Sequence, residues 1–558
     1  MKSLVPLLAL LSTVLSAAEP APVAFHSFTY SGNDAVFSVP LPAGHIQNPI
    51  LAGYYPDPSI CRVGDDYYLV NSTFAYFPGI PVFHSRDLVN WEQIGHVIDR
   101  PTQLNYDGLA VSRGIFAPAL SWHDGTFYLT CTMVGRGGNF LMTATNPAGP
   151  WSDPIWFDFE GIDPSLFFDA DGRAWMLNNG APDETPRYSG HRAIWIQEFD
   201  IAAKKLIGER RVLVNGGVDI AKQPVWIEGP HLYQKDGWYY LCCAEGGTSI
   251  HHSQVILRSK SVTGPFEPWE KNSILTQRDL DSAAPHAVTC TGHADLFIGP
   301  DNNWWSIFLG CRPFTGGNWF TGRETFLLPV QWTDDGWPVI LPPGERVPYS
   351  VKAPSDATTQ PPAARKTAPV CGNFSFTDEF DRPELPLHWF TLRIAAEPWW
   401  QIARGELHVT PRAVRLDDVT QPPAFLARRV HHSNFEASTS LEAPTGEGVS
   451  AGIAAFQSEP QHFYFGVRRV GDELELFVER THERRTEILA RTTVSLPTGP
   501  IALRISGRET KLSFDCRLAE GKTLTLLAET DSYPLTVQAA GGGMHFTGAV
   551  VGVHARLE

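Results

Sequence analysis

Five stretches of this chain repeat one pattern: a lead residue beside a proline or small residue, a short apolar run, a turn, and a strand rich in aromatics. They open at Asp57-Pro58-Ser59-Ile60, Ala117-Pro118-Ala119-Leu120, Asp163-Pro164-Ser165-Leu166, Glu228-Gly229-Pro230-His231 and His293-Ala294-Asp295-Leu296. The leads lie 60, 46, 65 and 65 residues apart, a length that suits one four-stranded blade with its loops. The repeat therefore predicts a five-bladed β-propeller. The turn follows each lead at a similar interval, so the leads hold equivalent places at the entrance of the innermost strand, where blades converge. The axis is expected to carry Asp57, Asp163, Glu228 and His293, with Ala117 as its silent position.

A chain of 558 residues exceeds one core of ordinary size and predicts at least two domains. The Pro-rich stretch from Pro342 to Pro369 has little apolar periodicity and reads as a linker. Beyond it, runs such as Phe463-Tyr464-Phe465-Gly466-Val467 and Glu473-Leu474-Glu475-Leu476-Phe477-Val478 alternate at period two between close turns. That patterning predicts an antiparallel sandwich. Long amphipathic helical periods are missing from both parts, so the whole protein is expected to be all-β. At the N-terminus, Lys2, an apolar run from Leu4 to Leu15, and the small residues Ser16 and Ala18 have the form of a signal peptide cleaved before Glu19. The expected organisation is a signal peptide over 1–18, a propeller over 19–345, a linker over 346–371 and a sandwich over 372–558. Such a protein is secreted, to the periplasm or the exterior.

The N-terminal apolar run is too short to span a bilayer well, and no later segment is long enough, so no membrane partner is expected. A net charge of −16 argues against nucleic acid as a partner and leaves a neutral ligand unopposed. The eight cysteines show no paired CxxC spacing, which speaks against a zinc site. In an exported chain, disulfides and buried thiols both stay open. Asn71-Ser72-Thr73 and Asn373-Phe374-Ser375 carry the N-glycosylation pattern, although Asn71 falls in an expected inner strand where a glycan would not fit.

Hydrolysing a glycosidic bond needs one carboxylic acid to protonate the leaving oxygen and one carboxylate to activate water, or to attack, across the sugar. Each axial carboxylate also has an ordinary reading, since Asp before Pro starts turns and Glu before Gly-Pro ends strands. Their recurrence at one register of a repeat favours a shared cavity.

At these residues the chain resembles glycoside hydrolase family 43, and within it the two-domain β-xylosidases. Resembling segments include Tyr55-Pro56-Asp57-Pro58-Ser59, Gly161-Ile162-Asp163-Pro164-Ser165, Glu228-Gly229-Pro230-His231-Leu232, Ala244-Glu245-Gly246-Gly247-Thr248, Gly292-His293-Ala294 and Gly322-Arg323-Glu324-Thr325. The likeness runs from about Asn48 to the C-terminus. It implies a five-bladed propeller of inverting hydrolases followed by a concanavalin-like sandwich. It also implies Asp57 as general base, Glu228 as general acid, and Asp163 as the carboxylate that raises and orients the acid. A nearby like charge disfavours ionisation and would keep Glu228 protonated near neutral pH.

By the same resemblance, Arg323 contacts substrate hydroxyls, Thr248 falls in a substrate-binding segment, and Phe74 and Phe116 wall the sugar pocket. Aromatic faces suit the C–H faces of a sugar ring. Phe116 stands where the resembling enzymes usually carry tryptophan, which implies a wider or differently shaped pocket. His293 matches an axial histidine that contacts water or, in some relatives, calcium; no cofactor is required and calcium is admitted. A sandwich loop similar to Gly541-Gly542-Gly543-Met544-His545-Phe546-Thr547-Gly548 is expected to bring Phe546 to the pocket mouth. The implied activity is exo-acting release of xylose from the non-reducing end of β-1,4-xylo-oligosaccharides. The alternative is release of terminal α-L-arabinofuranosyl groups, or both. A non-catalytic carbohydrate-binding module would have no need of an acid and base pair.

Overall fold

The computed structural model describes residues 20–354, 367–518, 521, 523–541 and 545–558. The expected signal peptide over 1–18 lies outside them. Five antiparallel sheets stand around one axis, each starting from an inner strand: Ser59–Val63, Ala119–His123, Ile162–Phe168, Glu228–Lys235 and Thr289–Ile298. An inner strand has neighbouring blades on both faces. It therefore reads as a short continuous apolar run, and strict alternation is lost. Tight two-residue turns fix the register of the inner hairpins of blades one, two and four. Asp124-Gly125 and Asp236-Gly237 both take left-handed backbone at the two central positions, the geometry that matches strand twist.

Polar side chains stitch the inner strands together beneath the pocket. The Asp295 carboxylate of blade five accepts hydrogen bonds from Ser59 Oγ (2.8 Å) and Ile60 N (3.0 Å) of blade one and from Tyr233 OH (2.7 Å) of blade four. Ser59 Oγ in turn accepts from Leu120 N of blade two, and Ser165 Oγ of blade three donates to Pro230 O. Buried charge and hydroxyls are satisfied this way, and the axial ends of the strands are held in fixed relation.

The last blade is closed by the chain's early residues. Ile50 N donates to Thr325 O and Thr325 N to Leu51 O, along the outer side of strand Glu324–Pro329. Strand His45–Gln47 pairs with Ser350–Lys352, so the expected linker over 346–371 begins with ordered strand. Residues 355–366 of that linker lie outside the described ones.

The second domain is a sandwich of two eight-stranded sheets. Its membership corrects the expected propeller boundary at 19. Strand Val23–Gly32 pairs with Phe374–Asp378, Glu406–Val409 and Asn434–Leu441, inside a sandwich sheet. Its alternation buries Val23, Phe25, Phe28 and Tyr30 in the sandwich core. The other sandwich sheet ends on Tyr76–Phe77, two residues from blade one that pair with Phe390–Leu392. One apolar cluster then runs across the seam, from Phe74 and Ile115 to Phe425, Tyr464 and Val550. None of the eight cysteines forms a disulfide. Asn71 is fully buried, its amide donating to Tyr55 O, Pro56 O and Thr325 Oγ1, so its glycosylation pattern is structural.

Candidate active site

Three of the five lead residues sit where their inner strand breaks register. The pairing of Ile162–Phe168 skips between Ile162 and Ser165, that of Glu228–Lys235 between Glu228 and His231, and that of Thr289–Ile298 between Gly292 and Asp295. Asp57, Asp163 and His293 have φ of 50°, 55° and 52°, left-handed values that non-glycine residues seldom hold. Bulges of this kind turn a side chain away from the sheet face. Here they turn Asp163, Glu228 and His293 onto the axis, and the strain is held by the packed strands around them. Gly229, next to Glu228, has φ 56°, and a Cβ there would stand 3.0 Å from the His293 ring. Only glycine lets blades four and five approach this closely.

The resulting cavity, of about 230 Å³, is lined by Asp57, Asp163, Glu228, His293 and Arg323. Phe74, Phe116, Thr248 and Phe546 line it as well, so every site residue expected from the sequence reaches one pocket. Ala117 lines it too, as the silent lead of blade two.

The charges are unevenly matched. Asp57 is bound through both oxygens by Arg323, at 2.5 and 3.3 Å, and accepts from Ser72 Oγ at 2.5 Å. Burial acts to raise its carboxyl, but Arg323, His293 and the Ser72 hydroxyl outweigh that and hold it below the usual value. Burial, then the nearby charge of Asp57, pushes Asp163 up to about 7, against the opposing N–H of Gly229 and Arg323. Glu228 is driven well above the carboxylate range, first by burial and then by Asp163 and Asp57. Burial therefore leads here, and the like-charge effect of Asp163 adds to it. His293, with Nδ1 3.9 Å from Asp57, is held down at about 4 by burial and is neutral near pH 7. Among the described residues no three or more carboxylate, imidazole or thiol side chains gather as a metal shell would require.

The aromatic wall is shared between domains. Phe74 stacks on Phe546 at 5.6 Å, and Phe116 meets both edge-on at 5.1 and 5.5 Å. Phe546 is the sandwich's contribution. Its N–H donates to Ser112 Oγ and its carbonyl accepts from Arg323 at 3.4 Å. Gly322 and Gly548 make this approach possible, since a Cβ on Gly322 would lie 2.8 Å from Gly548 N. The glycines at 542 and 543 fall outside the described residues.

Among the pocket residues, Arg113, Val134, Asn179, Arg192 and Trp226 were not anticipated. Trp226 precedes Glu228 by two positions, but its left-handed φ of 49° sets it outside the strand that begins at Glu228, so alternation along a strand does not find it. Arg192 follows no repeat position and gave no signal either. Ser72 likewise gave none, although it fixes Asp57.

A propeller pocket that holds carboxylates in opposite charge states, capped by a concanavalin-like sandwich, defines a glycoside hydrolase. Residues 46–338 match Glycosyl hydrolases family 43, and residues 377–556 match the β-xylosidase C-terminal concanavalin A-like domain. The chain belongs to glycosyl hydrolase family 43. It is 37% identical over 517 residues to a xylosidase/arabinosidase of Butyrivibrio fibrisolvens, covering 91% of this chain and 95% of the relative. It is 34% identical over 519 residues to a non-reducing end α-L-arabinofuranosidase of Bacteroides ovatus, covering 91% of each. Among solved structures, a GH43_12 protein from a capybara gut metagenome is similar with a TM-score of 0.88 at 39% identity, over 96% of this chain and 99% of that one. A xylan β-1,4-xylosidase of Bacillus halodurans is similar with a TM-score of 0.81 at 33% identity, over 92% and 96%.

Proposed function

We propose that this glycoside hydrolase releases xylose from the non-reducing end of β-1,4-xylo-oligosaccharides by a single inverting displacement. The observation that carries the reading is the unequal setting of two carboxyls in one pocket: Asp57 is bonded to Arg323, whereas Glu228 is buried with no cation bonded to it among the described residues, which favours its protonated form. Asp57 takes a proton from the attacking water, and Glu228 gives its proton to the leaving oxygen. Asp163 opposes ionisation of Glu228 and, through the Gly229 N–H, orients the residue beside it. Arg323 has N–H groups to offer sugar hydroxyls beside Asp57, and the three phenyl rings pack the C–H faces. A cavity of about 230 Å³ is smaller than drug-sized sites of about 300–1,000 Å³, which supports a pocket for one terminal sugar and an exo mode of attack.

A second reading is release of terminal α-L-arabinofuranosyl groups, alone or alongside xylose. The relatives named xylosidase/arabinosidase and arabinofuranosidase favour keeping it. Rates on aryl β-xyloside set against aryl α-L-arabinofuranoside decide between them. Faster turnover of the xyloside supports the first reading, a faster arabinofuranoside replaces it with the second, and no turnover of either removes both. Hydrolysis by two side chains needs no cofactor, so activity should survive EDTA. The N-terminal segment is read as an export signal, and the exported chain should start near Glu19.

A further inference from the structure

Four of the charged groups around the pocket answer one another or are held towards the protonated form. Arg323 is closed on Asp57, and Glu228 and Asp163 both retain protons far above the usual carboxylate range. Arg113 and Arg192 remain, two cations in the lining without a bonded carboxylate, within a chain of net charge −16. They come from blades two and three, away from the Asp57 and Arg323 side formed by blades one and five. Arg113 is exposed, and Arg192 is half-buried with its guanidinium 4.1 Å above the ring of Trp226. Beyond that ring, neither guanidinium has an ion-pair or hydrogen-bond partner among the described residues.

The position of Arg192 relative to the chemistry follows from Glu228. The general acid must touch the leaving-group oxygen, so what surrounds it on the outer side faces the aglycone. Trp226 is two residues from Glu228 on the same chain, and Arg192 is close enough to act electrostatically on Glu228. A guanidinium laid on an indole face is oriented before any ligand arrives, with its planar fork of N–H donors available to a carboxylate. A neutral sugar would give those donors hydroxyls only, and would leave both guanidinium groups without a bonded counter-ion.

We propose that the leaving-group side of the pocket is built for an acidic aglycone, a xylo-oligosaccharide whose second sugar carries a uronate, recognised by Arg192 on Trp226 and by Arg113. The inference rests on Glu228 being the acid. Recognition is bidentate at Arg192, whose fork is pre-set, and long-range at Arg113, which is more exposed and more screened.

The test compares kcat/KM on xylobiose and on xylobiose bearing glucuronic acid at O2 of the reducing-end xylose. The parent should prefer the charged substrate by about 5- to 10-fold at low salt, with the preference shrinking as salt is added. R192Q should bring the ratio to near one, and R192K should keep part of it. Equal kcat/KM on the two substrates in the parent, or exclusion of the charged one, overturns the proposal. So does an equal loss on both substrates in R192Q, which would make Arg192 a contact to neutral hydroxyls. If R192Q does not fold, R113Q and the salt series on the parent decide the same question: a salt-insensitive ratio overturns the proposal. Failure to cleave xylobiose or either aryl glycoside would remove the underlying xylosidase reading, whereas cleavage without charge preference removes this inference alone.

Discussion

Around the propeller axis three carboxylates face one closed arginine, whereas at the seam with the sandwich two buried arginines, Arg312 and Arg393, are each bonded to a buried carboxylate. Arg312 is bonded to Glu324 at 2.6 Å, to Asp34 at 2.9 Å and to His431 O. Arg393 is bonded to Glu459 at 2.8 Å and to Leu109 O, and Glu459 also accepts from Val111 N. The difference separates two uses of buried charge. A matched pair fixes one arrangement and resists protonation change. A surplus of carboxylates cannot all ionise, so protons stay in the site and are available for transfer. The axis is the reactive set, and the seam the structural one.

Exchanging the behaviour of the two sets tests this directly. Asp57→Ala should lower kcat by about 10³–10⁴-fold on xylobiose and on an activated aryl xyloside alike, because water activation is needed for both. Glu228→Ala should lose as much on xylobiose and far less on the activated aryl substrate, whose leaving group needs little protonation. Equal losses on both substrates would take Glu228 out of the acid role. Proton NMR of the first product from a β-xyloside should show α-xylose, and β-xylose first would put a retaining mechanism in place of the proposed one.

The seam should answer the other way. Glu459→Gln leaves Arg393 buried without its counter-charge and should destabilise the fold by about 3–5 kcal/mol. The rate of the protein that remains folded should stay within a few-fold of the parent. Denaturant titration beside initial rates reads both, and an unaltered midpoint would mean that the seam pair is not the support it resembles.

A smaller and more diagnostic effect concerns pH. Asp163 is raised in the folded protein to about 7, so the native state binds the proton more tightly than the unfolded chain does. Stability from this group is complete below the unfolded value and declines as pH rises towards 7. Asp163→Asn keeps an acceptor for the Gly229 N–H and cannot ionise. Above pH 7 it should therefore be more stable than the parent by on the order of 1–3 kcal/mol, while losing activity. Its removal also lowers the Glu228 value, so the alkaline limb of kcat/KM should move to lower pH. The acid limb, set by Asp57 below the ordinary carboxylate value, should stay where it is. Thermal midpoints and rate profiles from pH 4 to 9 check the stability and the alkaline limb, and rates after brief exposure below pH 4 check the acid limb.

The reactive set was the more legible of the two in the sequence, for a physical reason. A repeat places equivalent residues at equivalent points, so Asp57, Asp163, Glu228 and His293 could be brought to one axis without knowing any contact. The alternating strands beyond Pro369 likewise carried the sandwich. What could not be read joins residues far apart with no shared period. Strand Val23–Gly32 alternates as well in a sandwich as in a blade, and its partners lie more than 340 positions on, as at Phe28 and Asp378. Arg192 belongs to no repeat position. Phe546 was reachable only through resemblance, since nothing in a local pattern says which loop tip crosses to another domain.

Phe546 stands between the two sets, and its substitution is the gentlest test of the comparison. Its backbone belongs to the seam, through Ser112 Oγ and Arg323, and both bonds survive in Phe546→Ala. Its ring belongs to the site, half-buried against Phe74 and Phe116. Phe74, by contrast, is buried to 1% exposure and sits in the cluster that crosses the domains. Phe74→Ala should then cost about 3–5 kcal/mol of stability as a core truncation. Phe546→Ala should leave the midpoint nearly unchanged while raising KM and lowering kcat on xylobiose, about 10-fold together in kcat/KM, by opening the mouth to water. A large fall in midpoint with unchanged kinetics would place the ring in the seam after all, and would make the sandwich a support for the fold with no part in the pocket.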